Sequence, residues 1–284
     1  MTIITVNYNN SEKTINLLES LRKQTNKNFD VIIVDNNSDP EEKSKLKNYQ
    51  TDQINIVLIE NDKNLGFSGG CNVGIRRGLQ NGSDWIILLN NDAWVETDFI
   101  SSLVANLAGK EGIVAVPLIE DGRIVYSGKV EWLKPALSHT FHPHGTNEYV
   151  IGGGMAVHKK VFDTIGFLDE NYFLYFEDAD FSLRARQGGL TMTILDAPAA
   201  YHQVSATTSR LGSALLLRYH YRNALYFNFK NGPTYIKVLV PFWSFFILIK
   251  QSVKLLTNKN PEISKAIIKG VLDFHMNNMG KIKT

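Results

Sequence analysis

Short apolar, β-branched runs alternate with amphipathic stretches along the first 116 residues. Thr2-Ile3-Ile4-Thr5-Val6 predicts a strand over 2–7. Residues 12–24 carry Ile15, Leu17, Leu18 and Leu21 at helical spacing, with Ser11 as the expected N-cap. Phe29 to Val34 is a second strand ending at Asp35, followed by a polar turn over 36–40 and a charged helix. Ile54 to Ile59 is a third strand, and Ser68 to Leu79 reads as a helix despite its glycines. Trp85-Ile86-Ile87-Leu88-Leu89 is a buried fourth strand running straight into Asn90-Asn91-Asp92. A helix over 97–107 and a fifth strand over 112–116 complete the series. Strands alternating with helices predict an α/β fold with a doubly wound, mostly parallel sheet.

After residue 117 the pattern loosens. Arg123 to Trp132 alternates weakly, as an antiparallel strand would, and His139 to Asn147 is a polar loop. Tyr149 to Val157 reads as a strand in which Gly152-Gly153-Gly154 admits a close neighbour. Lys159 to Ile165 is a short helix, and Glu177 to Gln187 is a helix closed by Gly188-Gly189. Short strands follow at 191–195 and 199–202, then a Ser/Thr-rich loop to Arg210 and a wholly helical remainder. The pattern sets one domain over 1–210, with halves at 1–116 and 117–210. A helical extension occupies 211–284.

In a parallel sheet the strand ends share one edge, where open α/β folds keep their ligands. Asn7, Asp35, Asn64 and Asp92 all fall there. A carboxylate such as Asp92 suits a hard divalent cation; the alternative is that Asn90, Asn91 and Asp92 only form a turn. The loop Asn64-Leu65-Gly66-Phe67-Ser68-Gly69-Gly70-Cys71-Asn72 offers close backbone approach and helix-start N–H groups to an anion. It is neither a Walker loop nor a dinucleotide fingerprint. Asp178 emerges from the aromatic run Tyr172 to Phe176, an environment that raises a carboxylate pKa as a general base requires; Glu177 is the reserve. Helix-dipole stabilisation is the plain alternative for both, and Asp180 with Arg184 reads as an i,i+4 pair.

Composition narrows the classes. The 284 residues carry a net charge of +2, which argues against nucleic-acid binding by bulk electrostatics. Residues 231–284 hold eight lysines and two acids, a local +6 that leaves −4 on residues 1–230. The single cysteine, Cys71, permits no internal disulfide and fits a reducing compartment. The chain enters a strand at once with no leader-like segment, so a cytoplasmic location is expected. Val238 to Ile249 is apolar over 12 residues, short of the ~20 that span a bilayer. Lys237 and Lys250 bracket it, and Lys254 and Lys259 follow, so 235–259 suits peripheral contact with anionic lipid. A helix packed on the catalytic domain or on another subunit of a homo-oligomer is the competing reading.

The ordered motifs resemble inverting family-2 glycosyltransferases of the GT-A fold, in the rhamnosyltransferase-like branch. They are Thr5-Val6-Asn7-Tyr8-Asn9, Val34 to Asp39, Asn64 to Asn72, Leu89 to Asp92, Gly152 to Met155, Phe173 to Asp180 with Arg184, and Tyr201-His202. The resemblance implies a nucleotide-sugar donor, dTDP-rhamnose first and a UDP-sugar second, and a glycan or lipid-linked glycan acceptor; residues 1–210 would be the catalytic domain, with a nucleotide-binding half (1–116) and an acceptor-binding half (117–210). It implies that Asn7, Asp35, Asn64, Gly66, Phe67, Asn72, Asn90 and Asn91 bind the donor. Asp92 and His202 would hold Mg²⁺ or Mn²⁺, and Asp178 would be the base. Asn90 departs from the family pattern: it stands where an Asp-X-Asp motif has its first acid, which puts metal affinity in question. Relatives that extend lipid-linked glycans also tilt the tail towards a membrane. A nucleotidyltransferase is disfavoured by Asn7-Tyr8-Asn9-Asn10 after strand one, where a triphosphate loop would need Arg or Lys. A non-catalytic binding scaffold is the other alternative.

Overall fold

The computed structural model describes residues 1–142, 148–202 and 213–282. Strands β1 (Thr2–Asn7), β2 (Asp30–Asp35), β3 (Asn55–Glu60) and β4 (Trp85–Leu89) alternate with helices α1 (Ser11–Arg22), α2 (Pro40–Asn48) and α3 (Gly66–Gln80). β2 pairs with β1 and β3, and β1 with β4, all parallel, so the four expected strand ends do share one edge. Ile3, Val31 and Ile87 pack to one face of the sheet, and Ile4, Ile32 and Ile86 to the other. Burial on both faces is what uninterrupted β-branched runs require. The α1 stripe Leu17, Leu18 and Leu21 closes the first face. Ser11 is the first helical residue and Asn10 the cap, a shift of one position; the Ser11 hydroxyl donates to the Glu42 carbonyl instead.

The α3 glycines form its packing face. A Cβ at Gly70 would sit 2.8 Å from Val6, at Gly74 2.5 Å from Ile4, and at Gly78 2.7 Å from Ile86. Their spacing of four turns a weak helix former into a helix that lies close on the sheet.

The second half departs from the simple alternation. β5 (Ala93–Val95) and α4 (Phe99–Leu107) lead to β6 (Ile113–Ala115), which does not pair with β4. β12 (Gly154–His158) lies between them, antiparallel to both, and β13 (Met192–Ile194) closes the edge. The sheet order is β13-β6-β12-β4-β1-β2-β3. The expected strand over 149–157 is therefore divided. Glu148–Tyr149 is β11, which joins β9 (Ser127–Lys129) and β10 (Ser138–Thr140) in a small separate sheet. A third sheet orders β5-β14-β7-β8, with β7 at Leu118–Glu120, β8 at Arg123–Val125 and β14 at Ala200–His202. Helices α5 (Lys159–Ile165) and α6 (Glu177–Gln187) fall where expected, while the loop over 203–210 lies outside the described residues.

The C-terminal helices are α7 (Ser213–Asn231), α8 (Thr234–Leu256) and α9 (Pro261–His275). α7 is part of the catalytic core. Its Ala224 and Phe227 share one cluster with Tyr172, Phe176 and Ala179, and Tyr219 packs with Phe173. α8 runs 23 residues, nearly twice the 12-residue apolar run, because lysines interrupt the hydrophobic pattern without ending the helix.

Candidate active site

Register builds the first half of the site. β14 pairs antiparallel with β5, setting His202 opposite Ala93 and so beside Asp92. β14 also runs parallel to β7, setting Tyr201 opposite Ile119, so His202 comes level with Glu120. The side chains meet accordingly: His202 Nε2 is 3.1 Å from Asp92 Oδ1, and Nδ1 is 2.7 Å from Glu120 Oε1. The Asn90 side-chain amide lies 3.0 Å from the same Nε2. His139 Nδ1 approaches the other Glu120 oxygen at 3.5 Å.

Charge follows geometry. Hydrogen bonds from His139 and His202 hold Glu120 down at about 2. Burial works against the His202 cation, but the hydrogen bonds to Asp92 and Glu120 outweigh it and raise its pKa to about 9. Asp92, His202 Nε2 and the Asn90 amide converge on one point, and Glu120 fixes the ring from behind. Carboxylate and imidazole are donors that Mg²⁺ or Mn²⁺ can take; the Asn90 atom nearest the ring is Nδ2, so its amide must turn for the oxygen to join them. Among the described residues no group of three or more His, Cys, Asp or Glu is placed to hold a metal ion.

The second half is Asp178 at the start of α6. Its Oδ2 accepts from the Gly152 N–H at 3.0 Å and its Oδ1 from the Ala179 N–H at 2.8 Å. Burial raises its pKa above the ordinary carboxylate range, although those backbone donors pull it down. The residue is half-buried and next to Gly152, whose own position abuts the Phe67 ring. Glu177 is buried; burial and the neighbouring Asp178 push its pKa well up. Of the two acids, only Asp178 has surface to offer a substrate. Asp180 is fully buried, bonded to Arg184 Nε at 2.7 Å and Lys230 Nζ at 2.8 Å, so the expected i,i+4 pair is present and larger than expected.

One glycine turn joins the halves. Gly152 N–H holds Asp178, while the Gly153 carbonyl accepts the Asn90 N–H at 3.2 Å. A Cβ at Gly153 would meet the Asn90 amide at 2.6 Å. The close neighbours expected at this glycine run are therefore the site's own side chains.

Four expected donor-binding residues do something else. Asn7 has no exposed surface; its amide donates to Asp35 Oδ1 at 2.9 Å and accepts from Thr14 Oγ1 at 2.9 Å. Asp35 is equally enclosed, its Oδ2 taking the Ser38 N–H at 3.0 Å. Asn72 ties α3 to the Leu168 backbone, and Asn91 donates to Thr14 Oγ1 at 3.1 Å. In this structure the polar groups of all four are engaged within the protein, where they brace the strand ends. Asn64 also shapes the loop, accepting from the Gly66 N–H at 2.8 Å. Its partner Asn36, absent from the sequence-derived set, accepts from Asn61 and the Leu65 N–H and donates to Asn64 and the Gly66 carbonyl.

Gly66 has φ +76°, and a Cβ there would lie 2.2 Å from the Phe173 carbonyl. Phe67 N–H donates to that carbonyl at 2.7 Å, pinning the donor loop to the turn before Asp178. Gly66→Ala is expected to destabilise the protein by about 2–4 kcal/mol in denaturant unfolding, through left-handed strain plus overpacking. A change below about 0.5 kcal/mol would mean the two loops are not clamped there.

The turn before Asp178 is itself strained. Phe173, Tyr175 and Phe176 all have positive φ, at 64°, 69° and 75°. Fully buried Asn223 of α7 holds it, donating to the carbonyls of Tyr172 (2.9 Å), Leu174 (2.7 Å) and Tyr175 (3.1 Å). Arg222, also fully buried, reaches the Tyr172 carbonyl at 3.0 Å and the Gly280 carbonyl at 2.7 Å. Sequence reading missed both residues, because they sit inside a helix that reads as an appendage. His220 stacks on Tyr175 at 4.2 Å, and burial lowers its pKa to about 4.

Residues 2–166 match Glycosyl transferase family 2. The chain belongs to glycosyl transferase family 2. It is 26% identical to the dTDP-rhamnosyl transferase RfbF of Shigella flexneri, covering 95% of this chain and 93% of that one. It is 32% identical to the amylovoran biosynthesis glycosyltransferase AmsB of Erwinia amylovora, covering 70% and 68%. S. aureus TarS 1–349 in complex with UDP-GlcNAc superposes with a TM-score of 0.59 at 15% identity, covering 97% of this chain and 91% of that one. The fold is GT-A, and this family-2 protein is a glycosyltransferase.

Proposed function

We propose that this glycosyltransferase transfers a sugar from a nucleotide-sugar donor to an acceptor hydroxyl in one inverting step. Asp92 and His202 take the metal and diphosphate end, and Asp178 takes the acceptor end. The observation that carries this reading is the Gly152-Gly153 turn, which binds the base through one residue and Asn90 of the metal site through the next. A diphosphate on one side and an acceptor on the other then meet across a single peptide. The nucleotidyltransferase and non-catalytic alternatives give way to the family match.

Asp92, His202 and the Asn90 amide oxygen would hold Mg²⁺ or Mn²⁺. When bound, the metal supplies positive charge against the departing diphosphate. Glu120 orients His202 by accepting the Nδ1 hydrogen, so that Nε2 faces the site. The acceptor oxygen bonds to the anomeric carbon while its proton passes to Asp178. The bond from that carbon to the diphosphate oxygen breaks, and the nucleoside diphosphate leaves with the electron pair. An ionised carboxylate has about four acceptor positions; the two backbone donors leave room for this proton. Phe67 and the Tyr172 to Phe176 turn keep water from the base. Asn7, Asp35, Asn36, Asn64 and Gly66 hold the nucleotide-side loops in place, leaving half-buried Phe67 at the donor.

dTDP-rhamnose is the preferred donor, supported by the likeness to RfbF over nearly the whole of both chains. UDP-sugars are second, supported by the TarS fold match. A thermal-shift screen of dTDP, UDP and GDP with Mn²⁺ tests this, since ligand binding raises apparent stability. The largest shift is expected with dTDP, and a larger one with UDP or GDP would replace that donor. The acceptor is a glycan or lipid-linked glycan.

Direct Mn²⁺ titration in the presence of nucleoside diphosphate checks the metal site. Asp92→Ala is expected to remove binding, and Glu120→Gln to weaken it by about 10–100-fold through loss of ring orientation. Unchanged Mn²⁺ affinity in Asp92→Ala would put the metal elsewhere.

A further inference from the structure

Helix α8 presents two apolar faces, and only one is used. Ile236, Val240, Ser244, Ile247 and Gln251 are buried against the rest of the helical layer, where Ser264 Oγ bonds Gln251 Oε1 at 3.0 Å. The opposite face carries Tyr235, Phe242, Phe245, Phe246, Ile249 and Leu256, all exposed; the three phenylalanines are 68%, 66% and 62% exposed. Monomeric soluble proteins rarely leave so long an aromatic and aliphatic stripe open to water. By length and composition α8 is able to cross a bilayer, but its packed face fixes it on the domain. A helix held on one side by protein and open along the other lies in an interface.

Charge selects the occupant. α8 contains Lys237, Lys250 and Lys254, is followed by Lys259, and has no aspartate or glutamate. Tyr235, Leu239, Phe242, Phe246, Ile249, Val253 and Leu256 follow a four-three spacing that could seat a second helix. Two copies of this face would nevertheless bring lysines against lysines with no acid from α8 to pair them. A negatively charged lipid surface matches both the aromatic stripe and the unopposed lysines.

We propose that the outward face of α8 lies in the headgroup region of an anionic lipid bilayer, its phenylalanines among the upper acyl chains and its lysines at the phosphates. The catalytic domain is thereby held at a membrane surface.

Vesicle flotation of the full chain tests this, with phosphatidylcholine alone or mixed with phosphatidylglycerol. The protein is expected to float with the mixed vesicles and to stay behind with phosphatidylcholine. Phe242→Ser with Phe246→Ser should lower the bound fraction at least about tenfold. Lys250→Glu with Lys254→Glu should lower it as well, with the difference from the parent chain shrinking as salt rises. Phe242, Phe246 and Lys250 are exposed and Lys254 is partly so, and melting temperature and nucleotide binding should stay as in the parent chain. Failure to float, or equal flotation of the phenylalanine variant, overturns the proposal. So does a concentration-dependent dimer that the same variant dissolves while vesicles are ignored; a second copy would then cover the face.

Discussion

Asp178→Asn is expected to lower the rate of nucleoside diphosphate release in the presence of acceptor by about 10²–10⁴-fold. Donor affinity should stay as in the parent enzyme. The amide keeps the shape of the carboxylate but cannot take the acceptor proton. Glu177→Gln should cost less than about tenfold, because Glu177 is buried. The pH profile follows from the raised pKa of Asp178. Transfer is carried by the ionised form, so the rate is full at high pH and falls as pH drops through a value above the usual carboxylate range. Asp178→Asn should lack that limb. A full rate in Asp178→Asn, or a larger loss in Glu177→Gln, would move the base by one residue.

Asn223→Ala is the second large effect, although Asn223 touches no substrate. Its amide donates to three carbonyls of the turn that precedes Asp178, where three non-glycine residues have positive φ. Such backbone persists only where its surroundings over-determine it. Removing the amide leaves buried carbonyls without their donor and releases the strain. We expect a stability loss of about 2–4 kcal/mol and a fall in kcat of at least about tenfold, with donor affinity little changed. The split between kcat and binding separates a positioning role from simple destabilisation. If the folded fraction turns over at the parent rate, the clamp serves stability alone.

The two halves of the molecule were unequally legible. Strands β1 to β4 announce themselves by their apolar, β-branched runs, which are buried on both faces in β1, β2 and β4. Their parallel order follows from the intervening helices, so the shared edge at residues 7, 35 and 92 could be read. The antiparallel β12 between β4 and β6 could not, since pairing order across a sheet leaves no trace in periodicity. Glu120 and His139 were missed for a related reason. They sit in strands of three residues, too short for a pattern; Glu120 reaches His202 through the register of β7 and β14, and His139 reaches Glu120 from β10. Asn7, Asp35, Asn72 and Asn91 are joined to the rest of that edge by internal hydrogen bonds. A polar residue at a strand end marks the ligand edge, but burial decides whether it meets the ligand or holds the edge together. Asn223 and Arg222 lie in a stretch that composition sets apart as basic and helical, whereas packing makes α7 part of the catalytic core.

The central claim is a division of labour across the Gly152-Gly153 turn: Asp92 serves the diphosphate and Asp178 the acceptor. Calorimetric titration of a dTDP-sugar with Mn²⁺ into the parent chain, Asp92→Ala and Asp178→Asn tests it most directly. Asp178→Asn is predicted to bind like the parent chain, and Asp92→Ala to lose binding. Intact binding in Asp92→Ala together with lost binding in Asp178→Asn would contradict the assignment.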